Sequence, residues 1–264
     1  MMNRMTPVVK NLLIINGVVF LATLIIGSNL INYLALYYPG SEYFRPYQFV
    51  THMFMHSNSN FFHIIFNMYA MWLFGTAIEN TWGGQRFLFY YLFTGLGAAA
   101  LHTFVNFIVF SGMASNIAAF QDEPSIEMFK QFVDSNKSYF NHSVYDFINR
   151  WSMSPDDPVY IYQALNNMHG IYQNAINIPT VGASGAVYGI LLAFGMMYPD
   201  ARLMLLIPPM PVKAKWLVIG LAVIALVLGI FQPGSRIAHF AHLGGMLFGY
   251  LLIWYWIIKA RRWG

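Results

Sequence analysis

Apolar residues fall along this chain in long unbroken runs, not in the short alternations of a soluble domain. A helix that crosses a bilayer needs about 20 mostly apolar residues. Six stretches meet or approach that length: residues 12–36, 61–78, 87–110, 181–198, 215–231 and 237–258. The pattern predicts an all-α polytopic membrane protein with six transmembrane helices. The fourth stretch is the shortest and the richest in small residues, which predicts the helix most enclosed by protein. Between the third and fourth, residues 112–178 leave the apolar pattern for amphipathic segments such as SIEMFKQFVDSNKSYFNHSVYDFINRW. They predict a helical insertion outside the membrane, within a single membrane domain covering 1–264. Phe129, Phe132, Tyr139, Phe147 and Trp151 give this insertion aromatic surface with which to dock.

Composition agrees with that pattern. The chain is 58% hydrophobic and 9% charged, against about 25% charged in soluble domains. A net charge of +4 would suggest nucleic acid as the partner of a soluble protein. Here it is explained by Lys and Arg on the cytoplasmic side of a bilayer, so no nucleic-acid partner is expected. With the N-terminus inside, inner segments hold Arg4, Lys10, Arg86, Arg202, Lys213, Lys215, Lys259, Arg261 and Arg262, and outer ones hold Arg45, Lys130, Lys137, Arg150 and Arg236. Nine against five favours both termini in the cytoplasm. The absence of cysteine excludes disulfides, thiol catalysis and cysteine-held metals. The first apolar run follows MMNRMTPVVKN without an A-x-A cleavage site and reads as a retained span.

Polar side chains inside spans are costly and mark functional sites. Four stand out: His63 and Asn67 in the second stretch, Ser184 in the fourth and His242 in the sixth. At 1.5 Å per residue, Ser184 and His242 each lie about 9 Å below the outer surface of a core about 30 Å thick. Asn67 lies about 10 Å down, with His63 one turn above it. Gly185-x-x-x-Gly189 and Gly245-x-x-x-Gly249 are faces that allow two helices to approach closely. His242 shares the face of Gly245 and Gly249, and Ser184 precedes Gly185, so a Ser–His hydrogen bond is feasible. An imidazole could activate the hydroxyl, and the Ser184 N–H at a helix start could bind an oxyanion, with Asn67 and His63 as further donors. No carboxylate lies in the fourth or sixth stretch, so the pair would work as a dyad.

GASGAVYG, AHLGGMLFG and HSNSNFFHIIFN together resemble the G-x-S-G, A-H-x-x-G-x-x-x-G and H-x-x-x-N motifs of the rhomboid intramembrane serine proteases. The resemblance covers the six spans and leaves the insertion over. It implies Ser184 as nucleophile and His242 as base. It implies His63, Asn67 and the Ser184 amide as oxyanion hole, Tyr188 stacked on His242, and Gly182, Gly245 and Gly249 in support. It further implies a site that opens to the extracytoplasmic side, transmembrane proteins in the bilayer as substrates, and no cofactor. Where the family has W-R in the first outer loop, this chain has Tyr47-Gln48, so the hydrogen bonds of that loop must differ.

Each residue also has a plainer reading. Ser184 alone fits a helix cap, His242 a buried structural histidine, and His63 and Asn67 residues that pin a loop. Glu79 is expected to order the inner loop beside Gly83-Gly84. His52 and His56 are expected to bond the loop rather than a metal, His102 to pack, and His239 to face solvent. Two other functions compete: an inactive relative that binds membrane clients, and a transporter. The first would lack the Ser or the His, and the second would carry charges in mid-span.

Overall fold

Pro7 opens the first helix, where its fixed φ suits the first turn. α1 (Pro7–Ile26) ends at Gly27, whose φ of 74° stops the helix before the short α2 (Ser28–Leu34). The single first stretch expected at 12–36 is therefore two helices with a glycine break. A loop holding the one-turn α3 (Gln48–Thr51) follows. α4 (Phe61–Ala70) then runs through a π-turn (Met71–Gly75) into α5 (Thr76–Trp82). The structure, a computed structural model, describes residues 5–57, 61–204, 210–231 and 238–263. Arg4, Arg236, Ile237 and the Asn58-Ser59-Asn60 part of the second motif lie outside the described residues, as do the side chains of Arg261 and Arg262.

α6 (Gly84–Asp122) has 39 residues and is about 58 Å long at 1.5 Å per residue, nearly twice the thickness of a hydrocarbon core. The third stretch was expected to stop at 110. It continues because the one glycine at 112 costs only about 1 kcal/mol and helix-compatible residues follow it. The insertion adds α7 (Ile126–Ser135), α8 (Ser143–Met153) and α9 (Pro158–Ile176). Ser125 and Asp157 cap α7 and α9 through their side chains, onto the Met128 and Val159 N–H groups. After α10 (Ser184–Met197), β1 (Arg202–Met204) pairs antiparallel with β2 (Pro211–Lys213). This hairpin and an isolated bridge between Leu36 and Thr180 are the exceptions to an all-helical description among the described residues. α11 (Ala214–Phe231) and α12 (His239–Trp263) complete the chain.

Five helical stretches are long and apolar enough to cross a membrane: Pro7–Ile26, Phe61–Trp82, Gly84–Asp122, Ala214–Phe231 and His239–Lys259. Several turn large apolar residues outward, for instance Ile219, Val223, Val227 and Phe231 of α11, as a lipid-facing surface requires. The protein is a multi-pass integral membrane protein. α10, with 14 residues, is shorter than these and surrounded by them; Ala183, Ala186, Ile190 and Ala193 are all buried. It starts at Ser184, not at 181, because residues 178–182 are held extended by other contacts.

The core is in two parts. The first lies among the long helices and centres on Met71, Ile78, Phe87, Tyr90, Tyr91, Val187 and Ile190. The second belongs to the insertion and the C-terminal end of α6, where Phe120, Phe129, Phe132, Phe147 and Trp151 pack on one another. Phe129, Phe132, Phe147 and Trp151, with the half-buried Tyr139, were expected to form a docking surface. Instead they are the interior of the insertion, because a helical cluster of this size must bury such side chains to hold together.

At the opposite end, Glu79 of α5 caps α1. Its carboxylate accepts from Thr6 Oγ1 at 2.5 Å, Val8 N at 3.0 Å and Val9 N at 2.9 Å. A carboxylate suits the positive end of the helix dipole. Glu79 is itself buried. Replacing Glu79 by Ala leaves those N–H groups without an acceptor and is expected to cost on the order of 2 kcal/mol. Thermal unfolding of the purified variant checks this; an unchanged midpoint would contradict the cap.

Candidate active site

The site is assembled from the first loop upward. Gln48 is fully buried, and its amide is saturated. Oε1 accepts from Tyr37 N at 3.3 Å and Arg45 N at 3.0 Å, while Nε2 donates to Tyr33 O at 3.3 Å and Tyr43 O at 2.9 Å. One neutral side chain thus ties together the loop in which a W-R pair was absent. His52 donates from Nδ1 to the Gln48 carbonyl at 2.9 Å. Burial lowers the His52 and His56 pKa values to about 4, so both are neutral at pH 7. Among the described residues, no group of three ligands is arranged to hold a metal ion.

This loop holds the segment ahead of α10. Thr180 exchanges backbone hydrogen bonds with Leu36 at 2.8 and 2.9 Å, and Gly182 N donates to His52 O at 3.0 Å. Gly182 has φ of 131°, a conformation that disfavours any side chain. A Cβ there would stand 3.0 Å from His63 Cε1 and 3.5 Å from Ser184 Oγ, so the ring and the hydroxyl face one small space. The chain then turns into α10, with Ser184 as its first residue.

Ser184 Oγ lies 2.9 Å from His242 Nε2. The Tyr188 ring stacks on the imidazole at 4.1 Å and 7°, which fixes its plane; one helical turn separates Tyr188 from Ser184. The two helices come this close because neither has side chains between them. A Cβ on Gly245 would collide with the carbonyl of Gly185. α6 is the third member of this seam, since a Cβ on Gly189 would strike Thr94, and one on Gly249 would strike the Tyr90 hydroxyl. That hydroxyl donates to Gly189 O at 2.8 Å. The sequence indicates two glycine faces; that a third helix lies against both depends on tertiary packing.

A cavity of about 930 Å³ opens beside Ser184 and His242. Phe62 and Phe66 of α4 line one side and Leu221 and Ile224 of α11 another. His63 and Asn67 line it as well, and so do Tyr139 and Ile176 of the insertion. Asn67 Nδ2 donates to His63 O at 2.7 Å, and its other N–H proton is not used by that bond. Ser184, His242, Tyr188, His63, Asn67, Gly182, Gly245 and Gly249 are thus all found at this cavity or in the seam beneath it. Among the described residues, no carboxylate lines the cavity.

The family model described as Rhomboid domain matches residues 43–121 and 159–259. The chain belongs to the rhomboid family. The gap between the two matched segments, residues 122–158, lies within the insertion. This rhomboid is also similar to "Rhomboid protein 1, mitochondrial" of Saccharomyces cerevisiae, with 37% identity over 86 residues, which are 33% of the chain and 24% of that protein. The chain therefore aligns with about a quarter of the length of that relative.

Two histidines depart from their expected places. His102 Nε2 lies 3.0 Å from Thr180 Oγ1, so it bonds rather than only packs. His239 is buried and meets the His242 ring edge-on at 6.2 Å, instead of facing solvent. Its spacing of three from His242 was visible in the sequence and placed both on one helix face. In this rhomboid, Gly245→Ala forces a methyl group against backbone that cannot rotate away. Overpacking of this kind costs about 1–3 kcal/mol. Thermal unfolding should show that loss for Gly245→Ala, while Gly17→Ala, where nothing lies within 4 Å, should show none.

Proposed function

We propose that this rhomboid is an intramembrane serine endopeptidase that cuts transmembrane proteins through a Ser184–His242 dyad. The observation that carries the reading is the 2.9 Å Oγ–Nε2 hydrogen bond at the wall of a cavity between apolar helices. His242 Nε2 takes the hydroxyl proton as Oγ attacks the scissile carbonyl. The oxyanion then receives hydrogen bonds from the Ser184 N–H, free of intrahelical partners at the start of α10, and from His63 and Asn67. The second proton of the Asn67 amide serves this role. His242 returns the proton to the leaving amine, and water releases the acyl group by the reverse path. Tyr188 holds the ring plane through both steps.

The same proposal has α10 as the fourth of six spans, short because the extended segment 178–182 completes its crossing. It sets both termini in the cytoplasm and 112–178 on the extracytoplasmic side, above the cavity. A bond inside an intact helix is shielded by its own hydrogen bonds, so the substrates are membrane proteins whose spans unwind near the outer face.

Ser184→Ala and His242→Ala should each abolish cleavage of a model transmembrane substrate. Ser184→Ala should also remove labelling by a fluorophosphonate probe. A folded variant of either kind that cuts at the wild-type rate would overturn the dyad, and an unlabelled wild type would favour an inactive client-binding relative. Asn67→Ala and His63→Ala should lower turnover by about 10²–10³ with KM little changed, since each removes a donor to the oxyanion. Steady-state kinetics decides: a rise in KM at constant turnover would make them substrate contacts only.

A further inference from the structure

His102 is used by neither the dyad nor the oxyanion site, yet it is one of the polar groups at the cavity. It lies on α6, and its Nε2 is 3.0 Å from Thr180 Oγ1. Asn106 Nδ2, one turn further along α6, is 3.3 Å from the same nitrogen. Both polar atoms are therefore within hydrogen-bonding distance of the one ring nitrogen. These two contacts at Nε2 set the orientation of the half-buried ring and tie it to the Thr180 side chain.

Thr180 is thereby held from two directions. Its backbone is paired with Leu36 in the first loop and its side chain with α6. Two residues later Gly182 is tied to His52, and two residues after that comes Ser184. On the other side, α9 of the insertion ends at Ile176, and Ser41 Oγ donates to Asn177 Oδ1 at 2.6 Å. Only Asn177, Ile178 and Pro179 separate the end of that helix from Thr180. Any displacement of the insertion would reach the serine through this short, extended strap unless something stops it.

We infer that His102 and Thr180 form a clamp that positions Ser184 and isolates it from movements of the insertion. His102 is a positioning residue, acting through Thr180 on the placement of Oγ against His242 Nε2. This inference rests on Ser184 being the nucleophile. A misplacement of about 1 Å can cost about 10²-fold in rate, and four residues of strap freed from α6 allow displacements of that size. Thr180→Val is the sharper test, because it removes the hydroxyl while keeping the shape and the backbone pairing with Leu36.

The experiment compares purified full-length wild type with Thr180→Val, Thr180→Ser, His102→Ala and the Thr180→Val/His102→Ala double variant. Readouts are the rate of fluorophosphonate labelling, kcat and KM on a transmembrane substrate, and the thermal unfolding midpoint. Thr180→Val and His102→Ala should each slow labelling and lower kcat by about 10- to 100-fold with KM nearly unchanged. Thr180→Ser should retain the wild-type rate, and the double variant should be no worse than the worse single one. Should His102→Ala fail to fold, the Thr180→Val and Thr180→Ser pair still decides. Wild-type rates in Thr180→Val, losses that add in the double variant, or a change in KM alone would overturn the clamp. Wild-type protein that neither takes label nor cuts would overturn the nucleophile reading, and this inference with it. Active wild type with indifferent variants would overturn this inference alone.

Discussion

Everything at the site depends on two backbones touching. The carbonyl of Gly185 occupies the space that a side chain on Gly245 would fill. At that separation a serine on one helix and a histidine on the other are within hydrogen-bonding distance. In lipid, helix association gains little from the hydrophobic effect and relies on close van der Waals contact between small residues. The glycines therefore do two things at once. They supply the packing that holds α10 in the centre of the bundle, and they set the distance over which a proton would pass.

Around that contact the protein uses neutral hydrogen bonds where an exposed loop would use charge. Gln48 satisfies four backbone groups with one uncharged amide. His52 bonds a carbonyl through its ring and receives Gly182 through its own carbonyl. In a medium of low dielectric an ion pair carries a large desolvation cost, and a saturated amide or neutral imidazole avoids it. The salt bridges among the described residues lie on exposed side chains, such as Asp200 with Lys213 and Lys215. There both lysines hold the Asp200 carboxyl below the usual range.

Much of the site was legible in the sequence because its parts obey local rules. Small-x-x-x-small faces, a histidine in register with one of them and a serine at a helix start are all readable from spacing. What was not legible depends on contacts between distant segments. Nothing near His102 in the sequence points to Thr180, 78 residues away. The aromatic residues of the insertion look alike whether they face inward or outward, since the amphipathic pattern marks a buried face without saying what buries it. Gln48 was visible as a departure from a motif, but its four partners come from positions 33, 37, 43 and 45. The break at Gly27 and the extension of α6 to Asp122 were missed because apolar runs and helices need not share boundaries.

The continuity of α6 has a mechanical consequence. A single 39-residue helix carries Tyr90 and Thr94 in the glycine seam, His102 at the cavity, and Met113, Ile117 and Phe120 inside the insertion. It contains no proline and no hinge of consecutive glycines. The helical cluster of the insertion and the seam are therefore mounted on one stiff rod. A torque applied to the insertion's cluster is borne along the whole rod and resisted by the packing of the bundle, so the cluster is braced by the long helices rather than suspended from them.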